Sequence, residues 1–312
     1  MKTRLLSCCI AALSFAACED PPTPRPRAQV AVKPTARSPN LAALSVVDAG
    51  PALGAVEPID LLALKPAQGG VDHLARAKQL ASDGDRSGAL TEARRALYGS
   101  PLDEEALQLT ARQAQKLGKH DLSAEAWGRL AQLRTDDAAP LVQQARALIK
   151  ARQYDAAVTV GTRAIARDSG NPESYQATGL AHLGNSELPG AIAMFSKVVE
   201  LNPEHGFGLN NLGLALLRAN ENEHAVEVLS RAATLLPNTA YVHNNLGIAL
   251  ERVGRRDEAQ QAYLCATNLS PKYVKARVNA SRVAKAAEAV DPEEDATMTD
   301  VPHLKSDAAT EN

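Results

Sequence analysis

The chain has 312 residues, 45% of them apolar but only 3% aromatic, and it carries 34 basic against 36 acidic side chains. A net charge of −2 offers no basic stripe to neutralise phosphates, which excludes nucleic acid as a partner. The apolar share is mostly Leu, Ala and Val, a composition suited to close-packed helical layers.

Residues 1–17 read as a secretory signal peptide. Lys2 and Arg4 open it, an apolar run from Leu5 to Ala17 comes next, and small residues close it. That run is too short to span a bilayer as a permanent helix. The ending Phe15-Ala16-Ala17-Cys18 resembles a bacterial lipobox, which implies that Cys18 is lipidated on sulfur and becomes the mature N-terminus. Phe15 departs from the Leu preferred there, and Ser14-Phe15-Ala16 also reads as a small-x-small cleavage site that would release a soluble exported protein. A stable lipid anchor needs more than one acyl chain. Losing the leader removes Lys2, Arg4, Cys8 and Cys9, leaving Cys18 and Cys265. With Cys18 acylated no intramolecular disulfide forms, and Cys265 reads as a small, partly buried side chain.

Residues 18–69 contain nine of the eighteen prolines and little apolar periodicity, so they are expected to form a disordered, extended tether. At about 3.1 Å per residue, some forty residues reach roughly 120 Å. Ile59–Leu64 is expected to form a short helix over the open face of the first repeat.

From residue 70 a 34-residue frame holds without insertion, with units starting at 70, 104, 138, 172, 206 and 240. The eighth position reads Ala77, Ala111, Ala145, Gly179, Gly213 and Gly247, and the twentieth Ala89, Ser123, Ala157, Ala191, Ala225 and Ala259. Two antiparallel helices close to contact only where both are small. Bulk is set aside for the twenty-fourth position, at Trp127, Phe195, Leu229 and Tyr263, and Pro101, Pro203, Pro237 and Pro271 stop the second helix. Leu212, Gly213, Leu216, Ala225, Ala232 and Pro237, repeated as Leu246, Gly247, Leu250, Ala259, Ala266 and Pro271, resemble the tetratricopeptide repeat, a helix-turn-helix unit. The resemblance implies an all-α solenoid of about six repeats over residues 70–287, closed by a polar capping helix at 274–287.

The resemblance also implies a groove lined by the first helices, with the second, fifth, sixth, ninth, twelfth and thirteenth positions facing it. The sixth reads Asn211, Asn245 and Asn279, a ladder of the kind long solenoids of this family use to hold a peptide backbone, since an amide both donates and accepts. Beside it fall Asn210 and Asn244, Phe207 and Tyr241, Leu214 and Ile248, and Arg218 and Arg252. Glu105, Gln108, Arg112, Lys116, Arg146 and Lys150 make the half in repeats two and three polar and mildly basic; Leu180, Leu183 and Leu217 join the apolar half in repeats four to six.

Residues 288–312 carry eight acidic residues against one lysine and are expected to be a disordered acidic tail. The seven histidines lack metal-ligand spacing, and no phosphate-cradling loop or nucleophile elbow appears, so neither metal, cofactor nor catalysis is expected. The resemblance points to a non-catalytic adaptor in the bacterial cell envelope, facing the periplasm from a lipid anchor and binding a protein component of an assembly or secretion machine. The alternative is a solenoid that binds cell-wall glycan or exported polysaccharide, which would call for more aromatic stacking surface than Phe207, Tyr241 and Tyr175 provide.

Overall fold

The computed structural model describes residues 62–66 and 70–288. The leader, Cys18, most of the Pro-rich stretch and the acidic stretch 289–312 lie outside them. The described residues form thirteen helices and no strand. First and second helices alternate: α1 (His73–Ser82) with α2 (Arg86–Gly99), α3 (Glu104–Lys116) with α4 (His120–Leu133), and α5 (Ala139–Lys150) with α6 (Tyr154–Arg167). They continue as α7 (Pro172–Gly184) with α8 (Leu188–Leu201), α9 (Gly206–Arg218) with α10 (Asn222–Leu235), and α11 (Ala240–Arg252) with α12 (Arg256–Leu269), before α13 (Val274–Glu288).

Local chemistry fixes the helix ends. Asp72, Asp85, Asp103 and Asn171 cap α1, α2, α3 and α7 by accepting backbone N–H groups through their side chains. Each turn from first to second helix passes through one left-handed residue at the fifteenth position of its repeat: Gly84, Gly118, Arg152, Ser186, Asn220 and Gly254. The next N–H then reaches back five residues to a helix carbonyl, as Gln153 does to Leu148, Glu187 to His182 and Glu221 to Leu216, each at 2.9 Å. This closing pattern needs a positive φ. Glycine supplies it freely in three turns, whereas Arg152, Ser186 and Asn220 adopt it at a steric cost.

All twelve small residues at the eighth and twentieth positions are buried. The need for glycine is geometric in the later repeats. A Cβ on Gly179 would lie 2.7 Å from the Phe195 ring, one on Gly213 2.4 Å from Leu229, and one on Gly247 2.6 Å from Tyr263. Each bulky partner is itself fully buried. The core therefore runs along the stack as a row of these insertions, one cluster spanning Leu183 to Val283 and another Leu62 to Leu130.

The short helix expected over Ile59–Leu64 is not formed at residues 62–64, the part of it that is described. Leu62–Pro66 instead runs non-helically against α2: the Leu64 N–H donates to the Arg94 carbonyl at 2.9 Å, and Arg94 Nε donates to the Leu62 carbonyl at 3.0 Å. Leu62 is fully buried beside Leu97 and Leu107. Pro66 disfavours the helical region for Lys65, and a chain that gives its backbone groups to a neighbour cannot pair them internally. The last residues of the stretch expected to be a free tether thus complete the first repeat.

Candidate partner-binding groove

Five consecutive pairs of first helices approach closely, α1 with α3, α5 with α7, α7 with α9, α9 with α11 and α11 with α13, whereas no consecutive second helices approach as closely. The first helices therefore line the inner side of the stack. Between α3 and α5 the approach is looser and leaves a cavity of 310 Å³ lined by Gln108, Arg112, Trp127 and Gln143 among others.

Phe207 and Tyr241 occupy the second position of α9 and α11 and are 50% and 39% exposed. No other first helix presents an aromatic ring so openly. Burial raises the Tyr241 phenol above its ordinary pKa. The asparagines divide into two roles. Asn210 and Asn244, expected beside the ladder, are buried between helices at 4% and 2% exposure. Asn245 donates through Nδ2 to Asn210 Oδ1 at 3.0 Å, and Asn279 donates likewise to Asn244 at 3.0 Å. Asn210 in turn donates to Asn211 Oδ1 at 3.3 Å. The sixth-position asparagines are half-buried; Asn245 and Asn279 turn part of their donor capacity to the preceding repeat and keep Oδ1 uncommitted among the described residues, whereas Asn211 only accepts, from Asn210 of its own repeat.

The arginines differ from a simple groove lining as well. Arg218 is exposed, yet its guanidinium donates to the Leu183 carbonyl at 2.8 Å and to Ser186 Oγ at 3.1 Å. Arg252 donates to the Leu217 carbonyl at 2.5 Å. Each caps the carbonyl end of the previous first helix, where a cation meets the negative end of the helix dipole. Leu214 and Ile248 are half-buried against the core, and Leu183 and Leu217 are 8% and 3% exposed. The apolar half is therefore narrower than the sequence suggests, with Phe207 and Tyr241 its open part.

In the polar half, charges pair across the repeats. Arg146 meets Glu173 and Lys78 meets Glu105 at 2.5 Å, the ninth position of one repeat joined to the second of the next. The expected mildly basic character is thereby reduced. Glu173, at the second position of its repeat, and His205, just before α9, sit where the halves meet. His205 Nδ1 caps α9 by accepting the Gly208 N–H at 2.8 Å, and its Nε2 lies 3.4 Å from Glu173. Opposite charges 27 residues apart were the available signal. Among the described residues no group of three or more His, Cys, Asp or Glu could hold a metal ion, and no helix is long and apolar enough to cross a membrane.

The tetratricopeptide repeat family model matches residues 142–204, 177–240 and 210–273. The helical pairs over residues 142–273 therefore match the tetratricopeptide repeat, and the architecture above is a helical solenoid of that kind. Among solved structures, Cut9–Hcn1 of the APC/C hetero-tetramer aligns over 68% of this chain and 42% of its own, at 18% identity and a TM-score of 0.55. The chain thus spans under half of that structure's length. Pseudomonas aeruginosa pilF aligns over 67% of this chain and 96% of its own, at 18% identity and a TM-score of 0.53. The MamA protein aligns over 55% and 94%, at 19% identity and a TM-score of 0.47. At these identities the likeness is one of fold. No curated protein matches the sequence.

Proposed function

We propose that the chain is a non-catalytic scaffold that holds a segment of a protein partner along α9, α11 and α13. The observation that carries this reading is the pair Phe207 and Tyr241, half-exposed rings at equivalent positions of adjacent first helices, with the uncommitted amide oxygens of Asn245 and Asn279 on α11 and α13. Rings of this kind anchor interfaces because they bring large apolar area with few rotamers to fix. The amide oxygens accept backbone N–H groups of whatever lies on them. The leader and lipobox support the second half of the reading: the scaffold stands in the bacterial cell envelope, held to a membrane through Cys18, and serves an assembly or secretion machine there.

The test is crosslinked capture from envelope extract, run with the full chain and with Phe207→Ala/Tyr241→Ala. Neither ring makes a hydrogen bond among the described residues, so the variant removes contact surface and leaves the inter-repeat bonds in place. A protein captured by the wild type and lost from the variant is the expected outcome. Equal capture by both, or binding to purified cell-wall sacculi without any protein, would overturn the groove reading. Incorporation of labelled palmitate, absent in Cys18→Ser, tests the anchor separately.

A further inference from the structure

The looser approach of α3 and α5 is also where the stack leaves polar groups unused. Gln108, Arg112 and Gln115 stand at i, i+4 and i+7 of α3 and so share one stripe of that helix. They border the 310 Å³ cavity, together with Gln143 from α5 and Trp127 from α4, which forms its buried wall. The second position of α5, also on the lining, is Ala139, where α3, α7, α9 and α11 carry Glu105, Glu173, Phe207 and Tyr241. A short side chain there leaves the space open.

Trp127 is 5% exposed, and its Nε1 is buried with no acceptor among the described residues. An indole N–H can only donate, and native folds rarely leave a buried donor idle. None of the three glutamines makes a hydrogen bond among the described residues. Asp137, the carboxylate on the lining, accepts the Ala139 N–H at 2.8 Å and lies 3.9 Å from Arg134. Arg134 is itself held by Glu104 at 2.7 Å. Arg112 is thus the free cation of the cavity. Lys116, one turn further along α3, and Lys150, at the same repeat position in α5, are exposed and likewise unpaired among the described residues. The pairing that neutralises Arg146 and Lys78 stops short of these three.

We propose that this cavity is a second binding site, which takes the carboxylate side chain of an aspartate or glutamate from a partner peptide. The site goes beyond the contact at Phe207 and Tyr241 and does not depend on it. The Arg112 guanidinium grips the carboxylate with two parallel bonds, and the Trp127 N–H donates to it from the buried wall. Amides both donate and accept, so Gln108, Gln115 and Gln143 match the peptide units beside the acidic residue, which a free acid does not offer. At about 30 Å³ for each water, 310 Å³ is room for an acidic side chain and its own backbone. Lys116 and Lys150 draw in further acidic residues of the same peptide.

Trp127 is the only tryptophan of the chain, so its indole 1H–15N cross-peak in the full chain reports on this wall alone. The probe is a short peptide of glutamates blocked at both ends, which carries no terminal carboxylate. A saturable downfield shift of the indole proton is expected, absent with the same peptide made of glutamine. Free glutarate, which lacks the peptide units, is expected to bind about tenfold more weakly. Arg112→Gln is expected to weaken peptide binding at least about tenfold, as the loss of a charge-assisted bond implies, and Lys116→Gln/Lys150→Gln to weaken it less. Arg112 makes no bond among the described residues, so an unchanged thermal midpoint separates lost binding from lost fold. Phe207→Ala/Tyr241→Ala is expected to leave the shift intact, so failure of this site and failure of the groove at α9 and α11 are told apart. An equal response to the glutamine peptide, equal affinity for glutarate, or full binding by Arg112→Gln would overturn the proposal. So would a shift with a glucuronate oligosaccharide and none with the peptide, or no shift with any probe, which would leave the indole N–H to water.

Discussion

Asn245 gives an amide hydrogen to the Oδ1 of Asn210 at 3.0 Å, 35 residues earlier, and so ties α11 to α9 from within the surface a partner would approach. Asn279 repeats the bond to Asn244. Asn245→Ala leaves a buried oxygen with no donor, at a cost of about 1–3 kcal/mol. The urea midpoint is expected to fall accordingly, while Asn211→Ala, which loses only the longer 3.3 Å contact, moves it little. Equal midpoints for the two variants would contradict this division of roles.

The glycines of the solenoid divide in the same physical way. Gly247→Ala drives a methyl toward the buried Tyr263 ring, at 2.6 Å, and overpacking of this kind costs about 1–3 kcal/mol. Gly99, exposed at the end of α2, has nothing within 4 Å of a Cβ, and Gly99→Ala is expected to gain up to about 1 kcal/mol through helix propensity. Thermal midpoints shifting in opposite directions are the expected result.

Arg152 adopts a φ of 62° in a turn where Gly84, Gly118 and Gly254 do the same work. Arg152→Gly relieves about 1 kcal/mol of left-handed strain, less the extra entropy of the unfolded glycine. A small rise in the chemical-denaturation midpoint checks it. A fall would mean that the arginine side chain contributes more than the backbone strain removes.

Glu92 predicts an acid-sensitive first repeat. Its side chain is 6% exposed, bonded to His73 at 2.6 Å and to Arg95 at 2.7 Å. Burial alone would raise the carboxyl pKa, but the His73 hydrogen bond and the Arg95 and Arg76 charges outweigh it and hold the group below the ordinary glutamate value. A depressed folded pKa stabilises the fold fully above the unfolded value of about 4.3 and loses that contribution as pH falls through the folded value. Glu92→Gln is expected to cost about 2 kcal/mol at neutral pH and to flatten the decline in stability between about pH 5 and pH 3. Unfolding free energies of the two proteins converging toward acid pH are the observation to seek.

The helical pairs were legible because their determinants lie at fixed intervals in one dimension. Small side chains at the eighth and twentieth positions, bulk at the twenty-fourth and proline at the end state the packing of each unit without reference to its neighbours. The left-handed turn was legible only in part: Gly84, Gly118 and Gly254 mark it, but Arg152, Ser186 and Asn220 hide it, since any residue is forced there once both helices are fixed.

The groove was legible as a set of positions and not as a set of free groups. Sequence periodicity shows which residues recur at equivalent positions, and the family resemblance implies that the first helices face inward with Asn210, Arg218 and Arg252 on that side. Only the tertiary structure decided that Asn210 is an acceptor buried between repeats, that the two arginines cap the carbonyls of Leu183 and Leu217, and that Phe207 and Tyr241 keep their surface open. The physical reason is reach. Packing within a repeat depends on residues a fixed helical step apart, whereas these contacts join side chains 27 to 35 residues apart, and whether a long polar side chain turns to its neighbour or to solvent is settled by the distance between stacked helices, which no single repeat encodes.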